Sequence, residues 1–174
     1  MRGNGHGGHR RAALLLAVAL AMTAPAATGQ EGSAGDLTDF PLADCETLQR
    51  PSSPNHWLAA SEGPCATIAD EAAPVFEVSA AEQAAAWESW IADQPRAEIT
   101  GRSPDGLQIQ AVERSSVFGF TDHVSIAVLP LAEGRSSVAI YSRAATGYWD
   151  FGVNRARVRD WLRGAGQILS GRPR

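Results

Sequence analysis

RSSVFGFTDHVSIAVLPLAEGRSSVAIYSRAATGYWDFGVNRARVRDWL, residues 114–162, contains two runs that alternate with period two and one that repeats with helical period. Val124 to Leu131 and Ser137 to Arg143 alternate as strands do when one face is buried. Glu133-Gly134 between them is hairpin punctuation, and so short a connection makes the two strands antiparallel neighbours. From Asn154 the period changes. Val158, Trp161, Leu162, Ala165 and Leu169 share one helical face, which predicts a helix over 154–169.

The same signals extend toward the N-terminus. Glu98 to Arg102 and Leu107 to Arg114 read as two further strands joined at Pro104-Asp105-Gly106. Upstream, Ser79-Ala-Ala-Glu82 is a capping box, because serine and glutamate at that spacing satisfy each other's free amides at a helix start. Ala84, Trp87 and Ile91 continue that helix until Pro95 stops it, and Val75 to Val78 suits a short strand before it. Strand, helix, four strands, helix is an α+β order. It implies an antiparallel sheet of four to five strands with two helices packed on one face, in the manner of a reduced helix-grip fold.

Residues 1–26 read as an export signal: Arg10-Arg11, an uncharged run from Ala12 to Met22, then small residues at Ala24 and Ala26. The run is shorter than the roughly 20 apolar residues of a membrane span, so no stable transmembrane span is expected after cleavage. Residues 27–44 form a flexible leader, and 45–174 a single α+β domain whose N-terminal loop region is tied by a disulfide. That loop region, to Ala73, is rich in proline, serine and acids without lasting periodicity, and Trp57-Leu58 dock it on the main body. The disulfide is Cys45–Cys65, since an even cysteine count in an exported, periplasmic or secreted chain favours pairing.

Charge is unevenly distributed. Residues 27–98 hold 13 acids and two arginines, whereas 99–174 hold six acids and ten arginines. An acidic chain of net charge −4 argues against nucleic-acid binding but leaves room for a local anion site in the second half. There is no lysine, which excludes Walker-A, Schiff-base and Ser–Lys chemistry. No nucleophile elbow, zinc-protease helix, glycine-rich phosphate loop or paired-cysteine motif is present, so neither metal nor cofactor is expected.

Two polar blocks remain: Arg114-Ser115 with Phe118-Gly-Phe-Thr-Asp122, and Gly147-Tyr-Trp-Asp-Phe-Gly-Val-Asn-Arg155. Arg155, Arg157 and Arg159 crowd a helix start, where cations oppose the helix dipole, so something negative should lie nearby. It is either an internal carboxylate such as Asp122 or Asp150, or an anionic ligand. Together with Arg50-Pro-Ser-Ser-Pro-Asn55, these blocks resemble an exported, uncharacterised family known as domain of unknown function fourteen ninety-nine. The resemblance implies a fold and no reaction. Where the family shows Ser-Arg before the second block, this chain has Ala144-Ala145, and Arg143 sits two residues before position 145, on the same side of an extended chain.

The candidate ligand-binding set is therefore Arg114, Asp122, Arg143, Tyr148, Asp150, Asn154, Arg155 and Arg157, and of these Asp122, Asp150, Arg114, Arg143 and Arg155 are expected to form one linked cluster under the sheet–helix junction. The functional expectation is an extracytoplasmic, non-catalytic domain for a small anionic or amphipathic ligand or an envelope protein partner. The alternatives are a hydrolase-like enzyme using Asp122, His123 and the arginine cluster, and a structural envelope protein.

Overall fold

Six strands and two helices carry these residues in the computed structural model, which describes residues 42, 45, 48–115 and 119–171. The expected signal segment and nearly all of the leader lie outside the described residues, as does Phe118. The elements are β1 (His56–Ala59), β2 (Val75–Phe76), α1 (Ala80–Ala92), β3 (Ala97–Arg102), β4 (Gln108–Arg114), β5 (Thr121–Pro130), β6 (Ser136–Ala144) and α2 (Val153–Leu169). β3 to β6 form an antiparallel meander. The outer edge of β6 is covered by two partners, β1 along Ile140–Arg143 and β2 along Ser136–Ser137.

The sheet is thus larger than the four to five strands the sequence implies. The added strand is β1, inside the segment read as loop. Its four residues are too few to show a period, and Leu58 and Ala59 become fully buried only through pairing with a strand some eighty positions later.

Alternation decides what each face of the sheet buries. Ile109, Ala111, Val124, Ile126, Val128, Val138 and Ile140 face the helices and meet Trp87 and Ile91 of α1 and Val158, Trp161 and Ala165 of α2. The other face presents Ala127, Ala139 and Tyr141 to Leu58, Ala60, Leu42 and the Cys45–Cys65 disulfide. The disulfide-tied segment therefore closes the second face, as the helices close the first. A crosslink across 20 positions contributes about 3 kcal/mol in the chain-entropy account.

Local chemistry sets the helix limits. At α1 the Ser79 side chain accepts from the Glu82 amide while Glu82 accepts from the Ser79 amide. α1 and α2 come close at Gly164, where a Cβ would collide with the Trp90 ring. No helix of the described residues is long and apolar enough to cross a membrane.

Candidate functional site

One end of the sheet gathers the end of β4, the start of β5, the end of β6, the start of β1 and the start of α2. Beneath that end lies a buried polar network centred on Arg157. Its Nη2 donates to Asp122 at 2.6 Å, its Nε to Glu113 at 3.0 Å, and its Nη1 to Ser142 Oγ at 3.0 Å and Asn154 Oδ1 at 2.9 Å. Trp161 Nε1 donates to the same Glu113 oxygen at 3.1 Å. Ser142 Oγ donates to Asn154 Oδ1 at 2.6 Å, and Asn154 Nδ2 donates to Asn55 O and to Asp150. The Arg157 guanidinium is thus spoken for on three sides.

The start of α2 is also filled from within. Asp150 Oδ1 accepts from the Gly152 amide at 2.9 Å and Oδ2 from the Asn154 amide at 2.8 Å. Its carboxylate supplies the negative charge that a helix N-terminus favours. The turn demands two left-handed residues in succession, Phe151 (φ 53°) and Gly152 (φ 82°). Glycine adopts that conformation freely, but phenylalanine does so at a cost of order 1–3 kcal/mol. Asn55 Nδ2 donates to Gly147 O, which ties the β6–α2 loop to the strand entering from the N-terminal segment. The arginine-crowded helix start, read as a possible anion site, is therefore satisfied by Asp150 and Asn154 themselves, and Arg157 points inward.

The structure brings Asp122, Asp150, Asn154 and Arg157 together and leaves Arg114, Arg143, Tyr148 and Arg155 outside the network. Strand phase is the reason. Glu113 and Ser142 face the helices, so their neighbours Arg114 and Arg143 face the other way. Arg143 lies between His56 and His123 in register. Arg155 is exposed, with its guanidinium 4.9 Å from the Trp57 ring centroid. Arg159 pairs with Glu71 at 2.7 Å and Arg163 with Asp160 at 2.7 Å, so the exposed basic stripe along α2 is largely neutralised beyond Arg155.

Glu113, Ser142, Asn55 and Trp161 belong to the network although they were not among the candidate site residues. The signal was available for three: Glu113 is in phase with Ile109 and Ala111, Ser142 with Val138 and Ile140, and Trp161 lies four residues after Arg157.

Burial holds the Asp122 carboxyl above its ordinary range, against the pull of the Arg157 guanidinium. Burial likewise pushes His123 down, helped by Arg143, and His56 down, helped by Arg50. Asp122 and His123 are neighbours on one strand and face opposite sides of the sheet, so they form no acid–base pair. Among the described residues no group of three or more His, Cys, Asp or Glu side chains could hold a metal ion. A polar groove of about 380 Å³ lies beside the network, bordered by Trp90, Arg96, Glu113, Trp161 and Gln167.

Over the network sits an exposed apolar cap. Phe151 is 96% exposed, Trp149 67%, Tyr148 57% and Phe120 57%, with Val153 beside them on the first turn of α2. The rings of Tyr148 and Trp149 meet edge to face, 5.2 Å between centroids. The Ala145 amide donates to Thr121 O at 3.1 Å, which holds the loop carrying Tyr148 and Trp149 against the strand that follows Phe120. Among the described residues, Arg96, Arg114, Arg143 and Arg155 have no carboxylate at ion-pair distance, and all four lie at this end. Of the acids there, Glu113, Asp122 and Asp150 are engaged from within, and Glu98, in the row of Val112, His123 and Arg143, is exposed and is outnumbered by the four arginines. The end is consequently electropositive and aromatic on a chain whose net charge is −4.

No curated protein matches the chain. A solved structure described as a START superfamily protein from Mycobacterium smegmatis is similar over 55% of this chain and 92% of its own, at 11% identity and a TM-score of 0.33. The model of the family described as Protein of unknown function (DUF1499) matches residues 48–164, a span that contains every member of the Arg157 network, and the chain belongs to that family.

Proposed function

We propose that this protein is a non-catalytic binding domain, working outside the cytoplasm, that takes an amphipathic ligand with an anionic head at its aromatic end. The carrying observation is the combination at that end: four large apolar side chains at least half exposed beside four arginines that have no carboxylate partner. Apolar side chains scattered singly over a surface need no explanation, but four large ones gathered on two adjoining turns suit an interaction site. Guanidinium forks suit carboxylate and phosphate, and the rings beside them suit an apolar tail. The Cys45–Cys65 bond supports an oxidising compartment. The inward engagement of Asp122 and its separation from His123 speak against the hydrolase-like alternative.

The test is tryptophan fluorescence during titration with a short-chain anionic phospholipid kept below its micelle concentration, with inorganic phosphate as the head alone. Trp149 should report a saturable change with the phospholipid and little with phosphate. Trp149→Phe should lose most of the signal, and Arg143→Gln with Arg155→Gln should weaken the binding. A linear, unsaturable response identical in all three proteins would overturn the reading.

A further inference from the structure

The aromatic end has a geometry that narrows its occupant. Its large side chains stand on turns, Phe120 between β4 and β5 and Tyr148, Trp149 and Phe151 between β6 and α2. Phe151 is held outward in the left-handed region although that conformation is unfavourable for its side chain, because the Asp150 cap on both sides of it fixes the turn. Solvent exposure at 96% is therefore imposed by the buried network beneath, not chosen by a mobile side chain. Trp and Tyr are the residues that favour the boundary between water and hydrocarbon, and Arg places its apolar stem in that boundary with its head on phosphate. Charge points the same way. Among the described residues, four arginines without a carboxylate partner lie at this end against one, Arg135, in the hairpin at the other end, while the acid-rich remainder of the chain would be repelled by an anionic surface, and that asymmetry favours an end-on approach.

We infer that this end docks on the surface of a bilayer containing anionic lipid, with Trp149 and Phe151 entering the interface and Arg114, Arg143 and Arg155 resting on the headgroup phosphates. The inference rests on the proposed amphiphile-binding role of the same end and adds that the ligand is met as part of a membrane. Each arginine near an anionic surface contributes about fivefold in affinity, so the three should be visible individually and their effect should fade with salt.

The experiment is co-sedimentation of the full chain with vesicles of phosphatidylcholine alone and of phosphatidylcholine with 30% phosphatidylglycerol (about 100 nm across), at low and at physiological salt. Variants are compared with wild type, so that any contribution of the apolar N-terminal run is common to both. Trp149→Ser with Phe151→Ser should lower binding to the anionic vesicles at least tenfold. Arg114→Gln with Arg143→Gln should lower it about 25-fold, with no effect on vesicles lacking phosphatidylglycerol. Arg102→Gln, at the far end of β3, should leave binding unchanged. All the substituted side chains at the docking end lie outside the buried network, and unchanged melting temperatures would verify that the fold is intact. Wild type and both tip variants binding alike would overturn the inference. Saturable binding of the monomeric phospholipid without vesicle binding would overturn docking and leave the amphiphile role standing. A failure of both would remove the two together, and a soluble protein partner would then be the occupant to seek.

Discussion

Replacing Arg157 with leucine removes the one cation that serves two buried or half-buried carboxylates, Asp122 and Glu113, and two neutral oxygens besides. The side chain of Arg157 is 4% exposed and that of Asp122 8%, so water reaches neither well. Deleting one member of such a pair leaves a buried charge uncompensated, at about 3–5 kcal/mol. For a domain of this size each kcal/mol moves the melting temperature by roughly 3–5 °C, so the fall should be on the order of 10–20 °C at pH 7. The cost sits mainly in the stranded carboxylate, which yields a second expectation. Adding Asp122→Asn to Arg157→Leu should recover about 1–3 kcal/mol, because an unpaired amide is less costly to bury than an unpaired charge. Acid should act in the same direction: burial already holds the Asp122 carboxyl above its ordinary range, and without Arg157 it protonates more readily still. The single variant's deficit should therefore shrink from pH 7 to pH 5, while that of the double variant should not. Urea unfolding followed by tryptophan fluorescence would measure all three proteins. A loss below about 1 kcal/mol for Arg157→Leu, or no recovery in the double variant, would refute the view that the network is a dry, mutually dependent unit.

Gly164→Ala should destabilise by about 1–3 kcal/mol through overlap with the Trp90 ring. Gly166→Ala, which meets Phe76 at an ordinary 3.6 Å, should instead stabilise by up to about 1 kcal/mol through helix propensity; thermal melts of the pair separate packing from propensity. Among the described residues the buried Tyr141 hydroxyl has no hydrogen-bond partner, and its ionisation is pushed up to about 12, so Tyr141→Phe should leave stability unchanged or raised, and a clear loss would reveal a partner. His56 and His123 have folded pKa values below the ordinary 6.5, so the unfolded chain binds more protons below that pH. Their contribution is present above pH 6.5 and is lost as pH falls through the folded values. Asp122, raised by burial, contributes in the opposite sense, so the difference between wild type and His123→Gln in chemical unfolding from pH 7.5 to 5 is the measurement that isolates it.

Strand and helix phase made most of the fold legible from the chain. β3 to β6 declare themselves by their apolar runs between turn signals, α1 because capping box and period agree, and α2 by its period. β1 carried no such mark, since its burial is created by β6 and not by its own pattern. The site was legible in composition but not in arrangement. Arginines 155, 157 and 159 look equivalent in a string, yet only Arg157 shares the inner face with Asn154 and Trp161. Applying alternation to Glu113 against Arg114, and to Ser142 against Arg143, would have sorted inward from outward residues. The tethering of the β6–α2 loop by Asn55 joins positions 92 apart, and no local pattern announces such a contact.

The outer edge of β6 is completed by strands that precede it in the chain by roughly sixty to ninety residues. Synthesis proceeds from the N-terminus, so the first strand made has nothing to pair with until nearly all the others exist. Its two neighbouring cysteines face no such delay, because only 20 positions separate them. Crosslinking of the segment can therefore precede its docking, and the Cys45–Cys65 loop would arrive at the sheet as a preformed lid. Contacts of such long sequence separation also slow folding. A refolding experiment started from the oxidised chain should accordingly run faster than one started from the reduced chain, with the gain confined to the step that seats β1 and β2 on β6.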